Sequence, residues 1–331
     1  MRRLLALVVI AAAALSGCGT SAADRAAQSA SASRPGAAGF PAQVDSCGET
    51  LSFDSRPKKV LILNGTGFPN LDALGVVDHL SLRAGEKNFG LGQEQLQKKY
   101  DAIPTLPGSD IETGGVRVST EIILKNQVDL VIGYDEGVDR EALRKSGIKL
   151  YSPAAFCKNY AVKHAIWELI DQEVNNLAAI FGVSDRAQDV IAKRQTAVSE
   201  LTKTAQQAKG SGIALYITPG ESHFYTYGAS SMVQPIFEAA GLQNSYADNT
   251  KRVFDASMED LLARNPDWIV LLALSSTEEQ TLAAFTAFPG AGKLKAVANN
   301  RVVMLPFALT DPPTVLSVDG ATALTAKIGG R

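Results

Sequence analysis

The amino-acid sequence predicts an α/β protein built of two lobes that are joined by helix. Short apolar runs alternate with helix-period segments from residue 55 to residue 151, and the alternation resumes after residue 210. This alternation is typical of βαβ units packed around a parallel sheet. Between these regions, residues 162–208 have helical periodicity with one break near Gly182. We therefore expect a sheet in each half of the chain and a helical connection between the halves.

The overall composition is that of a folded protein and excludes several functional classes. Of the 331 residues, 46% are hydrophobic and 20% are charged, and the net charge is −2. A near-neutral chain lacks the basic footprint of a nucleic-acid-binding protein. Three histidines and three cysteines provide few ligands for a metal site made of protein side chains alone. The sequence has no Gly-x-Ser-x-Gly, His-Glu-x-x-His or phosphate-loop motif, so we expect no enzyme.

The N-terminal segment has the features of an export signal. Arg2 and Arg3 precede the apolar run Leu4–Leu15. A helix of that length spans about 18 Å, whereas a hydrocarbon core is about 30 Å thick, so a secretory signal is favoured over a membrane anchor. The run ends in Leu-Ser-Gly-Cys at Cys18, which resembles the lipobox of bacterial lipoproteins. We predict a signal peptide over 1–17 and acylation of Cys18, with a chance cysteine after an ordinary signal as the alternative.

The segment after the signal has the composition of a tether. Residues 18–43 consist mainly of alanine, serine and glycine, together with further polar residues. Such a segment buries too little apolar surface to offset its ordering entropy, so we predict a flexible tether. Acyl chains on Cys18 would hold the protein to a membrane while the folded part stands clear. The protein is therefore expected to be exported and lipid-anchored to the outer face of the cell membrane.

The two remaining cysteines are a candidate disulfide. Exported proteins fold in an oxidising compartment, where an even number of cysteines indicates disulfide pairing. With Cys18 used for lipid, Cys47 and Cys157 remain as the pair. Closing so long a loop would stabilise the fold by about 4–5 kcal/mol in the chain-entropy model. Two separate free thiols are the alternative.

A weak internal repeat relates the two halves. Residues 118–124 and residues 256–262 each place a serine at a predicted helix start and a glutamate two positions later, Glu121 and Glu259. An apolar helix face and an Asp-led apolar run follow in both cases. Each half is therefore expected to expose an acidic side chain in the first turn of a matching helix. A structural role is the alternative, because an acidic residue there also interacts favourably with the helix dipole.

Motifs from about residue 47 to residue 328 resemble the iron-siderophore, haem and cobalamin class of ABC-importer substrate-binding proteins. This class III resemblance implies two Rossmann-like α/β lobes joined by a single long interdomain helix, with ligand in the cleft between them. The implied boundaries are 44–184 for the N-terminal lobe, 185–209 for the linking helix and 210–331 for the C-terminal lobe. The residues that carry it are Arg56–Val60, Leu71–Asp78, Val118–Gly133, Leu177–Ala187, Val253–Leu271 and Leu294–Leu305.

The resemblance also implies the partner. Members dock on a dimeric ABC permease through one surface glutamate in each lobe, and these positions map onto Glu121 and Glu259. Glu136 is a neighbouring alternative in the first lobe. Two like charges far apart on a rigid body give orientation more than affinity. We expect a monomeric receptor that closes only modestly on its ligand.

Candidate cleft residues are those on loops after the carboxyl ends of strands, where open α/β sheets bind ligands. Aromatic side chains offer large contact area to a bulky chelate, and arginines can pair with its oxygens. Aromatic residues that only pack and arginines that only face solvent are the alternatives. The candidates are Arg83 and Tyr134 in the first lobe, and Phe224, Tyr225, Tyr227, Arg252 and Phe307 in the second.

The preferred ligand is a ferric siderophore, which arrives with its metal already chelated, so we predict no cofactor and no direct metal ligand. Haem is the alternative and would need an axial ligand such as Tyr134, His223, Tyr225 or Tyr227. Cobalamin is possible from the fold alone. A surface ligand sensor that is not coupled to transport is a further alternative.

Overall fold

The computed structural model covers most of the chain after the predicted tether. The predicted signal peptide, Cys18 and most of the tether lie outside the described residues, as do Tyr134 and Glu136. Within the described ranges, every helix is too short or too polar to span a bilayer. The described residues are 39–85, 89–90, 92–107, 110–112, 115–133, 138–204, 209–274 and 276–330.

The first half of the chain forms a parallel four-stranded sheet and two hairpins. The sheet has the order β4-β3-β7-β8. All four residues of β3 are buried, as expected for a parallel strand that is covered on both faces. The strands are β1 (Ala42–Ser46), β2 (Glu49–Phe53), β3 (Val60–Leu63), β4 (Leu80–Ala84), β5 (Asp110–Glu112), β6 (Gly115–Arg117), β7 (Leu130–Ile132) and β8 (Lys149–Tyr151).

The helices of this half start and end at residues suited to those places. Ser119 caps α3 by accepting a hydrogen bond from the backbone of Ile122, as the repeat predicted. Gly182 ends α5 in a left-handed conformation with φ 63°. The helices are α1 (Phe68–Ala73), α2 (Glu94–Asp101), α3 (Thr120–Lys125), α4 (Arg140–Lys145), α5 (Glu168–Phe181) and α6 (Ser184–Thr204).

The second half contains a mixed sheet of the order β12-β10-β9-β13-β14, with β11 also paired to β9. β9 is parallel to β11 and β13, and β13 is parallel to β14. β10 is antiparallel to both β9 and β12. The connection from β9 to β10, residues 217–223, is too short for a parallel crossover. The strands are β9 (Gly210–Tyr216), β10 (Phe224–Tyr227), β11 (Leu242–Asn244), β12 (Val253–Ala256), β13 (Trp268–Ala273) and β14 (Val302–Pro306).

Helices cover this second sheet as well. Ser257 caps α8 by accepting from the backbone of Asp260, so both predicted serine caps are confirmed. Thr277 and Gln280 form a reciprocal capping box at the start of α9. The helices are α7 (Val233–Ala239), α8 (Met258–Arg264), α9 (Glu278–Thr286), α10 (Lys295–Ala298) and α11 (Leu316–Gly329).

The long helix α6 connects the two sheet-bearing halves. The predicted fold class, two α/β lobes joined by one long helix, is therefore confirmed. Helix α6 begins one residue before the predicted linking helix, 185–209, and the first strand, β1, begins within the last two residues of the predicted tether. α6 packs against α5 of the first lobe and against α7 and α11 of the second. One hydrophobic cluster includes Val174, Ile236 and Leu324, so the lobes share a continuous core.

Candidate ligand-binding site

Three aromatic residues of the second lobe meet where β9, β10 and β14 end or begin. The rings of Tyr216 and Phe307 are in edge-to-face contact, with centroids 5.4 Å apart. Tyr216 also lies opposite Tyr225 in the ladder between β9 and β10. We call these three residues the aromatic group. Tyr216 and Phe307 lie at the carboxyl ends of β9 and β14, where open α/β sheets bind ligands, and Tyr225 lies opposite Tyr216 near the start of β10.

The aromatic run of residues 224–227 is a strand, which corrects the prediction of a cleft loop. Phe-Tyr-Thr-Tyr is rich in residues that favour strands, and it pairs on both sides. Phe224 is 3% exposed and packs against Phe288 with centroids 5.2 Å apart, and Tyr227 is 2% exposed. Tyr225, at 37%, is the member of this strand that reaches solvent. These positions agree with the packing alternative for Phe224 and Tyr227.

The exposed end of β10 also carries a histidine. The rings of His223 and Tyr225 are 5.4 Å apart and nearly perpendicular. Nδ1 of His223 lies 3.8 Å from a carboxylate oxygen of Glu221, and both side chains are partly exposed. This short segment therefore presents an imidazole and a carboxylate next to the phenol of Tyr225.

Arg252 is held from two sides. Its Nη1 donates to the carboxylate of Asp311 in an ion pair, and that carboxylate is fully buried. Its guanidinium carbon lies 5.1 Å from the ring centroid of Phe156, which belongs to the first lobe. A buried carboxylate needs a nearby positive charge, so Arg252 balances Asp311. Burial raises the pKa of the neighbouring Tyr227 well above its usual value, and the negative charge of Asp311 adds to that rise.

Arg83 fixes the loops that follow β4. Its Nε donates to the carbonyl of Ile103 at 3.1 Å, and Nη1 donates to the carbonyl of Gly85 at 3.4 Å. The guanidinium carbon lies 5.1 Å from the ring centroid of Tyr100, whose hydroxyl also donates to Gly85. Arg83 is 8% exposed. Its positive charge is therefore set among carbonyl oxygens at the carboxyl end of the first sheet.

Phe156, Tyr160 and Tyr216 were missed by the sequence analysis. Phe156 and Tyr160 follow β8, and Tyr216 is the last residue of β9, so the strand-end rule applied to every strand would have found them. The hydroxyl of Tyr160 donates to the carbonyl of Ser230 in the second lobe at 2.9 Å. Burial raises the pKa of Tyr160 above its usual range.

Glu121 and Glu259 occupy matching positions. Each lies in the first turn of a short helix, two residues after the capping serine, and each side chain is exposed. The local construction that the internal repeat predicted is therefore present in both lobes.

The predicted disulfide is confirmed. Cys47 and Cys157 are bonded, with their Cα atoms 5.1 Å apart, and the bond joins the turn of the β1–β2 hairpin to the segment after β8. Among the described residues, no three histidine, cysteine, aspartate or glutamate side chains are grouped so that they could hold a metal ion.

A separate groove of about 890 Å³ lies between α2 and the second lobe. Pro306 and Leu309 are among the apolar residues that line it, and Glu94 and Lys327 are among the charged ones. Gly90 approaches Pro306 so closely that a Cβ atom there would lie 2.5 Å from the proline ring. The described candidate residues do not line this groove.

Comparisons with known proteins identify the family. The family model described as periplasmic binding protein matches residues 62–309. The crystal structure described as an ABC-type Fe³⁺-hydroxamate transport system from Saccharomonospora viridis is 32% identical. The match covers 88% of this chain and 100% of that one, with a TM-score of 0.80. No curated protein matches the sequence.

More distant solved structures share the fold. A periplasmic binding protein from Veillonella parvula is 17% identical, with a TM-score of 0.71 over 87% of this chain and 97% of that one. The periplasmic haem-binding protein of Roseiflexus sp. RS-1 is 18% identical, with a TM-score of 0.63 over 83% and 98%. The chain belongs to the periplasmic binding protein family, in the class III group of extracytoplasmic substrate-binding proteins that serve ABC importers and are not enzymes.

Proposed function

We propose that this protein captures a ferric siderophore of the hydroxamate class outside the cell membrane and delivers it to an ABC permease. The observation that carries the proposal is the 32% identity, over 88% of this chain, to a structure described as an Fe³⁺-hydroxamate transport system. Hydroxamates chelate iron through oxygen atoms, so the ligand would arrive with its metal already coordinated.

The side chains at the strand ends suit such a ligand. The aromatic group offers flat apolar contact area, and the partly exposed Tyr225 adds a phenol that can donate a hydrogen bond. Arg83 and Arg252 place a guanidinium group on each lobe, and a guanidinium group can donate hydrogen bonds to electron-rich chelate oxygens. Tyr134, which follows β7, is a further candidate contact. In this proposal, Phe224 and Tyr227 support the site from the core.

Attachment and docking complete the proposal. Acylation of Cys18 after removal of residues 1–17 would tether the receptor to the outer face of the membrane. Glu121 and Glu259 would meet basic pockets on the two permease subunits, since they are exposed at equivalent helix starts in the two lobes. The receptor would act as a monomer.

Haem is the second candidate ligand, because His223 and Tyr225 stand together at the exposed end of β10. Imidazole and phenol are both axial ligands of haem iron in proteins. A ferric hydroxamate needs neither group as a metal ligand, so spectroscopy separates the two candidates. A receptor that senses its ligand without delivering it would bind in the same way but would support no uptake.

The experiment is a fluorescence titration of the purified protein, which contains Trp167 and Trp268. The probes are ferrioxamine B and ferrichrome as ferric hydroxamates, ferric enterobactin as a catecholate, and haemin. Iron-free desferrioxamine is the control. We expect saturable quenching by the ferric hydroxamates. Haemin binding with a ligand-field band, together with no response to any siderophore, would instead establish the haem candidate.

A further inference from the structure

We propose that the Cys47–Cys157 disulfide and Glu173 are positioning elements for ligand binding, because they fix a segment that crosses from the first lobe to the second. This bridging segment comprises residues 152–165 and follows β8. The inference rests on the proposed function, since it assigns the segment a role at the ligand site. The segment is anchored on the first lobe and contacts the second.

The start of the bridging segment is bound tightly to the first lobe. The backbone N–H of Ser152 donates to Oγ of Ser46 at 2.8 Å, and Nη2 of Arg140 donates to Oγ of Ser152 at 2.9 Å. The backbone N–H of Ala154 donates to Oε1 of Glu173 at 2.9 Å. Glu173 is 4% exposed, and its other oxygen accepts from Tyr151.

The disulfide adds an anchor farther along the segment, and its partner is itself well held. Cys47 and Gly48 form the two-residue turn between β1 and β2, with φ of 56° and 85°, which suits a tight hairpin. The backbone N–H of Gly48 donates to Oδ1 of Asp45. The hairpin packs against α5, and Glu49 forms an ion pair with Arg140 at 3.3 Å. Cys157 is therefore bonded to a fixed point.

Beyond these anchors, the bridging segment contacts the second lobe. The hydroxyl of Tyr160 donates to the carbonyl of Ser230 at 2.9 Å, and the backbone N–H of Ala165 donates to the carbonyl of Ala229 at 2.7 Å. Nε2 of His164 lies 3.2 Å from a carboxylate oxygen of Glu238. These contacts place the segment across the boundary between the lobes.

The contacted loop is joined to the one that carries Arg252. The backbone N–H of Gly228 donates to the carbonyl of Arg252, and Oγ of Ser230 donates to the carbonyl of Thr250 at 2.8 Å. Phe156 of the bridging segment lies under the Arg252 guanidinium. Movement of the segment would therefore shift both the ring beneath Arg252 and the loop that holds its backbone. The disulfide acts on ligand binding through these residues.

The test compares variants that loosen the anchors with a variant that only lowers stability. C47S/C157S removes the disulfide, and Glu173→Ala removes the acceptor of the Ala154 N–H while keeping the disulfide, so one variant remains if the other does not fold. Leu261→Ala is the control, since Leu261 is fully buried in α8 within a separate hydrophobic cluster. The readouts are amide hydrogen exchange at Ala165 in ligand-free protein and the dissociation rate of ferrioxamine B.

We expect exchange at Ala165 and ferrioxamine dissociation to be about tenfold faster in the anchor variants, and both to be unchanged in Leu261→Ala. Unchanged exchange in both anchor variants would refute the anchoring, and faster exchange with an unchanged dissociation rate would refute the role in ligand binding. Failure of the unmodified protein to bind any ferric hydroxamate would refute the proposed function. The exchange measurement would still test the anchoring.

Discussion

Oδ1 of Asn70, in α1 of the first lobe, accepts a hydrogen bond of 2.9 Å from the backbone N–H of Val315, at the start of α11 in the second lobe. The same amide donates through Nδ2 to the carbonyl of Pro313 at 3.4 Å. Asn70 is 1% exposed, so this single side chain satisfies two backbone groups of the opposite lobe away from water. It is therefore a buried polar contact between the two lobes.

Replacing Asn70 by alanine should therefore destabilise the protein by about 1–3 kcal/mol, since the N–H of Val315 and the carbonyl of Pro313 would lose their partner. Chemical denaturation measures this loss. Asn299→Ala is the matched control: the Asn299 side chain also donates to a backbone carbonyl, but at an exposed site just after the end of α10. Equal stability of the two variants would contradict the assigned role.

Arg252→Gln should lower the free energy of unfolding by about 3–5 kcal/mol near neutral pH, because it leaves the buried Asp311 carboxylate without its counter-charge. The double variant Arg252→Gln/Asp311→Asn should recover part of that loss, since the uncompensated charge is removed. A double-mutant cycle by denaturant unfolding measures the coupling. Strictly additive effects would show that the two side chains do not depend on each other.

The pH dependence of stability should contain a contribution from Glu173. Burial raises the pKa of this carboxyl above its usual value of 4.5. The folded protein therefore binds this proton more tightly than the unfolded chain does, so stability falls as pH rises from 4.5 through the raised pKa. Glu173→Gln cannot ionise and should lack that fall, so the stability difference should shift in its favour with rising pH.

Denaturant unfolding at a series of pH values measures this difference. Glu168→Gln, at an exposed position on the same helix, is the control and should follow the unmodified protein. Parallel curves for Glu173→Gln and the unmodified protein would show that Glu173 does not contribute to the pH dependence.

Neighbouring residues of β10 should separate ligand contact from packing. Tyr225→Ala should weaken binding of ferric hydroxamates about tenfold, while changing stability by less than about 1 kcal/mol. Phe224→Ala should cost about 3–5 kcal/mol of stability, because its ring is buried against Phe288. Fluorescence titration and thermal unfolding measure the two effects. Unchanged affinity in Tyr225→Ala would remove Tyr225 from the proposed contacts.

The docking proposal predicts that Glu121→Ala with Glu259→Ala leaves ligand affinity intact and abolishes uptake by cells that carry the cognate permease. Both carboxylates are exposed at helix starts, so their removal should not disturb the fold. Glu141→Ala with Glu279→Ala is the matched control, since these residues are also exposed in the first turns of helices. Retained uptake in the first double variant would exclude the two glutamates as docking residues.

Local signals in the sequence predicted the parts of the fold that depend on neighbouring residues. The serines at 119 and 257 mark helix starts because a hydroxyl there can bond the helix's own backbone, and that chemistry needs no distant partner. The disulfide could be predicted because the sequence has three cysteines, and with Cys18 assigned to the lipid anchor only Cys47 and Cys157 remain to pair. The alternation of apolar runs sufficed for the two-lobed architecture.

The candidate site was predicted less well, because its geometry depends on contacts between distant segments. The local sequence does not predict that Phe156 contacts Arg252 or that Tyr160 donates to Ser230. The run at 224–227 is predicted to be a cleft loop because it follows a strand, yet its aromatic content favours a strand when partners are available on both sides. Which of its side chains are buried then depends on which faces of the sheet are covered by other elements.

The contacts of Asn70 restrict the order in which parts of the folded protein can form during synthesis. Val315 lies 245 residues farther along the chain, whereas Cys157 follows Cys47 by only 110. Because the N-terminal part of the chain emerges first, the disulfide can form before the second lobe has folded. The contacts of Asn70 with Pro313 and Val315 can form only once those residues have emerged. A chain halted shortly before Pro313 would therefore carry a disulfide-bonded first lobe in which Asn70 lacks both of these partners.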